Sequence, residues 1–328
     1  MKHATICFAL TCLFAFAGCG QAKLYHHEPP MKFQDIPYPF STEMRQVNGV
    51  KIAYHDSKGE GPAIVLIHGL ASNMGFWRYN IPALTAQGFR VIALDLVGYG
   101  KSSKPYSAPY TLKFYAETVR ALLHDLGLTK ATWVGHSMGG QIAMTAALNF
   151  PDAVDKLILL SPAGFEAFKP GEGDWLRNTT TPDFIKKTPQ ERVRANITNN
   201  FYNWSDDWEW LIEERVRLSM TEEFDRFAYA VWKCVGAMLD EYVWDKLDKI
   251  TAPTLVIAGE NDNLIPNPFL HGGRTREIME QGVRAMPNAT LLMLPQTGHL
   301  IQIERSAEVN EAIINFVRNT PLRSNANK

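Results

Sequence analysis

The chain has 328 residues, and 46% of them are hydrophobic, which is enough for one large domain with an insertion or for two smaller domains. Its 33 basic and 34 acidic residues nearly cancel, so the formal net charge is -1. The sequence has no long basic run that would mark a nucleic-acid surface. We therefore expect no nucleic-acid partner, and we expect small, uncharged partners instead.

The first twenty residues predict a segment for export and processing. Lys2 precedes an apolar run over 4–18, which is too short to span a bilayer comfortably. The tetrapeptide "FAGC" at 16–19 resembles the lipobox of bacterial lipoproteins, in which the cysteine becomes the lipidated first residue. We therefore expect a signal peptide over 1–18, and a lipid anchor on Cys19 that holds the protein to a membrane of the bacterial cell envelope. The alternative is an ordinary signal peptide with an incidental cysteine.

The remaining cysteines exclude a disulfide framework. Cys7 and Cys12 leave with the predicted signal peptide, and Cys19 carries the predicted lipid, so the folded body keeps Cys234 alone. Cys234 lies in the apolar helical stretch "YAVWKCVGAM". We expect it to be a buried small hydrophobe and not a reactive thiol.

A proline-rich segment precedes a long alternation of strands and helices. Residues 19–43 show no clean periodicity, and we interpret them as a tether or strap on the surface. From Met44 the pattern changes to two short strands around Asn48-Gly49, a dipeptide typical of hairpins. The strand-like runs that follow are "PAIVLIHG", "FRVIALDL", "ATWVGHS", "DKLILLSPAG", "PTLVIAGEND" and "ATLLMLPQTGH".

These runs are continuous and rich in Val, Ile and Leu, as strands buried on both faces of a parallel sheet are. Helical segments lie between them. One of these has an apolar stripe made of Leu112, Tyr115, Val119, Leu122, Leu123 and Leu126. The pattern predicts an α/β protein with a doubly wound, mostly parallel sheet that begins with an antiparallel hairpin.

The alternation stops between residues 164 and 245. This stretch is aromatic and charged, and its segments are better helices than strands. We predict a helical insertion over 164–245 after the sixth strand, with the core formed by 44–163 and 246–328.

The sequence "VGHSMGG" sets Ser137 between Gly135 and Gly139 where a predicted strand becomes a helix. A side chain at the mouth of a parallel sheet needs a very tight turn, which brings the residues two before and two after it into contact. Gly-x-Ser-x-Gly in this position is typical of a nucleophile elbow. We therefore predict that Ser137 is a nucleophile.

A serine hydroxyl needs a base, and the base needs an orienting carboxylate. His299 is the base candidate because it follows the last strand-like run in a loop, where Gly298 gives it room. Asp262 is our choice of acid because it ends the preceding strand, and the order Ser, Asp, His suits this arrangement. Glu260 and Asp240 are the alternatives.

Two backbone N–H groups are candidates for an oxyanion hole, that of Met138 after the serine and that of Leu70 after "LIHG". We interpret His68, just before this loop, as structural. Asp95, which ends another strand, is interpreted as a carboxylate that stabilises a turn.

The stretches "LIHGLASN", "DLVGYGKSSKP", "GHSMGG", "GENDNLIP" and "TGHLIQIE" resemble successive motifs of the α/β-hydrolase superfamily over residues 45–320, in particular lid-bearing bacterial serine esterases and lipases. The resemblance implies a cap over the nucleophile and a catalytic set of Ser137, Asp262 and His299, with the Leu70 and Met138 amides as the oxyanion hole. It implies no metal or organic cofactor. The expected substrate is a small apolar ester that is cleaved through an acyl-enzyme.

Two other functions stay open. Carbon–carbon bond hydrolases of aromatic degradation have nearly the same motifs, although their substrates are usually made in the cytoplasm, against the predicted export. A binding lipoprotein that keeps the fold without catalysis is the other. Epoxide hydrolases and haloalkane dehalogenases use aspartate as the nucleophile, so Ser137 argues against both.

Overall fold

The computed structural model of the protein describes residue 25 and residues 27–320. The predicted signal peptide and the predicted lipidation site at Cys19 lie outside the described residues. Among the described residues, no helix is both long and apolar enough to cross a membrane.

An eight-stranded sheet forms the centre of the molecule. Its strands, in the order β1-β2-β4-β3-β5-β6-β7-β8, are antiparallel at β1, β2 and β4 and parallel from β4 onward. The strands are β1 (Glu43–Val47), β2 (Val50–Asp56), β3 (Ala63–Ile67), β4 (Arg90–Leu94), β5 (Ala131–His136), β6 (Val154–Leu160), β7 (Thr254–Gly259) and β8 (Ala289–Leu294). The prediction of a doubly wound, mostly parallel sheet that begins with a hairpin is confirmed.

The burial of each strand follows its place in the sheet. Every residue of β3, β5, β6 and β7 is buried, whereas exposure alternates along most of the edge strands β1 and β8. Central strands are covered on both faces, which explains their continuous apolar sequences. The hairpin turns at Asn48 and Gly49, which both have positive φ angles, as the dipeptide predicted.

Helices cover both faces of the sheet. Helices α1 and α11 contact each other and pack on one face, and α2, α3 and α9 pack on the other. The helices are α1 (Ile81–Ala86), α2 (Leu112–Asp125), α3 (Met138–Asn149), α4 (Pro170–Thr179), α5 (Pro182–Lys186), α6 (Gln190–Thr198), α7 (Trp210–Ser219), α8 (Phe224–Asp240), α9 (Thr275–Ala285), α10 (Ile301–Glu304) and α11 (Ser306–Asn319). The predicted stripe of α2 faces the core, with Leu126 partly buried at its end.

Helices α4 to α8 lie between β6 and β7, as the predicted helical insertion requires. Helix α8 packs its apolar face on the core of the sheet, and Cys234 is fully buried there, with its Sγ 3.2 Å from the Tyr115 hydroxyl. The expected burial of Cys234 is confirmed, and this burial raises the pKa of its thiol to about 11. The insertion therefore shares a core with the sheet.

We predicted that residues 19–43 form a strap on the surface, but part of this strap is buried. The side chains of Met31, Phe33 and Ile36 are buried in the main core, and the ring of Phe33 contacts the ring of Phe227 from α8. A single 3-10 turn over Phe33–Asp35 directs Phe33 inward. Three apolar side chains in and around one short turn produce no periodicity, which explains why the sequence pattern did not reveal their burial.

Candidate active site

Ser137 stands at the junction of β5 and α3 in a strained backbone conformation. Its φ is +52° and its ψ is -118°, a region that non-glycine residues rarely adopt. A Cβ atom on Gly135 would lie 2.2 Å from the carbonyl oxygen of Gly139, and one on Gly139 would lie 2.2 Å from that of Ile67. The close contact predicted for the two glycines is therefore present.

His299 and Asp262 are joined by a short hydrogen bond. The distance from Nδ1 of His299 to Oδ2 of Asp262 is 2.6 Å, and both side chains are buried. The other oxygen of Asp262 accepts hydrogen bonds from the backbone N–H groups of Leu264 and Ile265, at 2.8 and 3.2 Å. Because the carboxylate can only accept, the proton of the neutral imidazole lies on Nδ1, and Nε2 keeps a free lone pair.

The other carboxylate candidates point elsewhere. Glu260 pairs with Arg276, and Asp240 pairs with Arg177 on the exposed side of α8. Of the three candidates, Asp262 is the one that contacts His299.

The backbone of His299 is fixed from two directions. Its N–H donates to the carbonyl of Asn200, which follows α6 in the insertion, over 2.7 Å. Its own carbonyl lies 3.1 Å from Nε2 of His136, the residue before Ser137. Burial lowers the pKa of His136 well below its usual range, so this imidazole stays neutral and donates. The loop of His299 is thereby tied both to the insertion and to the turn of Ser137.

Ser137, His299 and Leu70 line one cavity of about 760 Å³ between the sheet and the insertion. Most of its wall is apolar. The apolar lining residues include Leu70, Phe76, Phe168, Leu176, Ile197, Leu211, Val235, Met238, Leu239, Tyr242, Leu264, Ile265 and Leu300. The structure thus brings the predicted serine and histidine to the same enclosed space.

The loop after β3 lies against the turn of Ser137. A Cβ atom on Gly69 would be 3.1 Å from Cβ of Ser137. Leu70 therefore comes directly after the residue at which this loop lies close to Ser137. Met138, the other predicted oxyanion residue, is the first residue of α3, where backbone N–H groups have no intrahelical acceptor.

His68 and Asp95 hold loops in place, as predicted. Nδ1 of His68 lies 2.8 Å from the Gly69 carbonyl and Nε2 lies 3.0 Å from the N–H of Leu96, and burial lowers the pKa of His68 to about 4. Asp95 accepts hydrogen bonds from the backbone N–H groups of Met74 and Lys101, while burial raises its pKa to about 6.

Sequence reasoning missed a polar pair on α7. Oε1 of Glu214 accepts a hydrogen bond of 2.6 Å from the Asn73 side chain, and the guanidinium of Arg215 donates to the carbonyl of Ala71. Both residues line the cavity, and burial raises the pKa of Glu214 to about 7. In the sequence they stand in the charged run "EERVR", which has the pattern of a solvated helix face. Their hydrogen-bond partners lie about 140 residues away in the sequence, so no local pattern indicated these contacts.

Comparisons with known proteins agree with the fold. The family model of the α/β hydrolase fold matches residues 62–306. An uncharacterized hydrolase, YugF of Bacillus subtilis, is 31% identical over 280 residues, which cover 83% of this chain and 96% of that protein. A 2-hydroxy-6-oxononadienedioate/2-hydroxy-6-oxononatrienedioate hydrolase of Burkholderia vietnamiensis is 28% identical, over 82% of this chain and 91% of its own. The crystal structure of a probable hydrolytic enzyme of Pseudomonas aeruginosa PAO1 covers 88% of this chain and 98% of its own, with 27% identity and a TM-score of 0.77.

Proposed function

The chain belongs to the α/β-hydrolase fold family, and on that premise we propose that it is a serine hydrolase that cleaves carboxylic esters of apolar acyl groups. One observation carries the proposal. Ser137 stands on a strained tight turn, and His299, bonded to Asp262, lines the same cavity as Ser137. A hydroxyl, an imidazole with a free nitrogen and a carboxylate are the groups that acyl transfer through serine requires.

In the first half-reaction, Oγ of Ser137 attacks the acyl carbonyl carbon while Nε2 of His299 takes the hydroxyl proton. The tetrahedral intermediate collapses, the ester C–O bond breaks, and the leaving alcohol takes the proton from His299. In the second half-reaction, His299 deprotonates a water molecule that attacks the acyl-enzyme. The acid leaves and the proton returns to Ser137. The carboxylate of Asp262 stabilises the imidazolium in both halves.

The oxyanion of each tetrahedral intermediate would accept hydrogen bonds from the backbone N–H groups of Leu70 and Met138. The positive end of α3 adds to this stabilisation at Met138. The loop of Leu70 is supported from the insertion, since Arg215 donates to the carbonyl of Ala71, whose φ is +53°. We assign Arg215 a positioning role for this loop.

The cavity supports an apolar acyl group. Its wall is mainly aliphatic and aromatic, and helices α4, α6, α7 and α8 of the insertion all contribute to it. We propose that the insertion, 164–245, acts as the cap of a core formed by 44–163 and 246–328, and that the cap selects the acyl group by the space it leaves.

Carbon–carbon bond hydrolysis is the second candidate. The name of the Burkholderia relative describes such substrates as dioates, and the guanidinium of Arg215 lies in the cavity wall, where it could meet a carboxylate. Arg215 already donates to Ala71 and stands beside Glu214, so its charge is used within the protein. The predicted export also favours the ester.

We further propose that the mature enzyme is held to a membrane of the cell envelope by a lipid on Cys19. The lipobox-like tetrapeptide "FAGC" supports this proposal. With the chain expressed with its own leader in a bacterium, mass spectrometry should find a mature N-terminus at Cys19 that carries lipid. An unmodified terminus elsewhere would contradict the anchor.

The test of the function compares turnover of p-nitrophenyl butyrate by the unaltered chain and by Ser137→Ala. The variant should fold and lose about three or more decades of turnover, because the three groups act as a unit. Thr180→Val, which removes another hydroxyl from the same cavity, is the matched control and should keep most of the turnover. Labelling by a fluorophosphonate probe, lost in Ser137→Ala, would exclude a binding protein without catalysis.

A further inference from the structure

We propose that the mouth of the cavity docks on the bilayer that holds the lipid anchor, so that ester substrates enter from the membrane. The inference rests on the proposed function and on the proposed lipid at Cys19. It joins two observations, the place where the N-terminal strap meets the body and the set of apolar side chains exposed around the cavity.

The strap begins on the insertion and not on the sheet. The ring of Tyr25 is buried among Ile212, Val216 and their neighbours, and its hydroxyl donates to Glu209 over 2.6 Å. The strap then follows α7, where the N–H of Met31 donates to the carbonyl of Arg217 over 3.1 Å. The first described residue is therefore fixed to α7.

One side chain, that of Ile197, links this attachment point to the cavity. Ile197 of α6 packs against the cluster that holds Tyr25, and it also lines the cavity. Tyr25 lies six positions after Cys19, and six residues of extended chain span at most about 20 Å. A lipid on Cys19 would therefore bring the insertion, and with it the cavity, close to the bilayer surface.

Two exposed apolar side chains line the cavity, Tyr242 and Leu264, and two others lie next to lining residues in the chain, Trp175 beside Leu176 and Phe269 two residues after Asn267. We call these four exposed side chains the rim. Tyr242 and Leu264 line the cavity and are also exposed, by 53% and 39%, so they mark its opening. The rings of Trp175 and Phe269 lie 6.1 Å apart, and Phe269 is 80% exposed, the most of any large apolar side chain among the described residues. Trp175 precedes Leu176, which lines the cavity.

Exposed aromatic side chains grouped at one place mark a site that an apolar partner covers. Aromatic rings of this kind are enriched at the interface between membrane and water. The short chain segment between the proposed lipid on Cys19 and α7 favours the bilayer as this apolar partner. An apolar ester dissolved in that bilayer would reach Ser137 through the rim without crossing water.

The first test reports orientation without using activity. Phe269→Cys and, as the control on edge strand β8, Leu292→Cys are made in the full chain, expressed with its own leader, and labelled with an environment-sensitive fluorophore. The buried Cys234 and a lipidated Cys19 would not react. In phosphatidylcholine vesicles, the Phe269 label should shift its emission to shorter wavelength and be quenched by brominated lipid, and the Leu292 label should show neither change.

Equal behaviour of the two labels in vesicles would overturn the inference, and so would a mature chain without lipid on Cys19. A Phe269 label that is already buried in a dimer before vesicles are added would assign the rim to a second copy instead.

The second test measures two esters with the variant Trp175→Ser/Phe269→Ser. Losing one aromatic side chain weakens the insertion of the rim into the bilayer by about tenfold. Hydrolysis of a long-chain ester embedded in vesicles should therefore fall by at least that factor in the variant. Turnover of soluble p-nitrophenyl butyrate should stay nearly unchanged, and Leu292→Ser should change neither rate. An equal loss on both esters would contradict docking. If the unaltered chain cleaves neither ester, the proposed function fails, while the labels still report the orientation.

Discussion

Replacing Asp262 with asparagine isolates the contact that prepares His299 as a base. The structure gives the two oxygens of Asp262 different tasks, because Oδ1 accepts from two backbone N–H groups and Oδ2 accepts from Nδ1 of His299. In Asp262→Asn the amide oxygen keeps the backbone bonds of the loop, so the new NH2 group faces His299. Nδ1 must then become the acceptor, and the ring proton moves to Nε2, where no lone pair remains to receive the serine proton.

The wrong tautomer costs about four decades of kcat in serine enzymes with this arrangement, which corresponds to about 5.4 kcal/mol in the barrier. We expect a loss of that order in kcat for p-nitrophenyl butyrate, with little change in the melting temperature because the loop bonds persist. Glu260→Gln is the matched control, since Glu260 lies two residues away and pairs with Arg276. An Asp262→Asn variant that keeps a tenth or more of the wild-type kcat would refute this reasoning.

Three further predictions concern stability and substrate size. Burial raises the pKa of Glu214 from its ordinary value of 4.5 to about 7, so between these pH values the unfolded chain releases a proton that the folded chain retains, and stability falls as pH rises. Between pH 4.5 and 7.5 this effect should lower the free energy of unfolding of the wild type by about 3 kcal/mol, and Glu214→Gln should lack this decrease. Urea unfolding of both proteins at the two pH values measures it, and the same pH dependence in both would exclude this role. Gly135→Ala should destabilise the fold by more than about 3 kcal/mol in thermal unfolding, because the new Cβ meets a backbone carbonyl that cannot rotate away, and a normal melting temperature would contradict the tight turn. Activity on p-nitrophenyl esters should rise by up to about fourfold per methylene from acetate and peak at short or medium chains, and Leu176→Trp, which fills the cavity, should move the peak to shorter chains; a profile that Leu176→Trp leaves unchanged would show that the insertion does not select the acyl group.

Local sequence patterns predicted the parts of the molecule that local physics determines. Continuous apolar strands, the Asn48-Gly49 turn and the glycines around Ser137 each express a backbone or burial requirement within a few residues, and the structure confirms all three. The sequence placed both Asp262 and its alternative Glu260 at the end of a strand, and the hydrogen bond to His299 agrees with the choice of Asp262.

Contacts between distant segments were not predictable in this way. Phe33 packs on α8, and Glu214 and Arg215 bind the loop of Ala71 and Asn73, because the insertion folds back over the sheet. Neither contact produces a periodic pattern in either partner. A charged helix face has the same sequence whether it meets solvent or a polar loop, so only the tertiary structure distinguishes the two.

Trapping the acyl-enzyme tests the central claim most directly. The unaltered chain is mixed with p-nitrophenyl butyrate, quenched with acid within the first turnovers, digested and analysed by mass spectrometry. We expect a butyryl group on the hydroxyl of Ser137, and a much smaller amount of it in Asp262→Asn, because His299 is also the base of the acylation step. Turnover of the ester with no butyryl group on Ser137, or with the group on another residue, would contradict it.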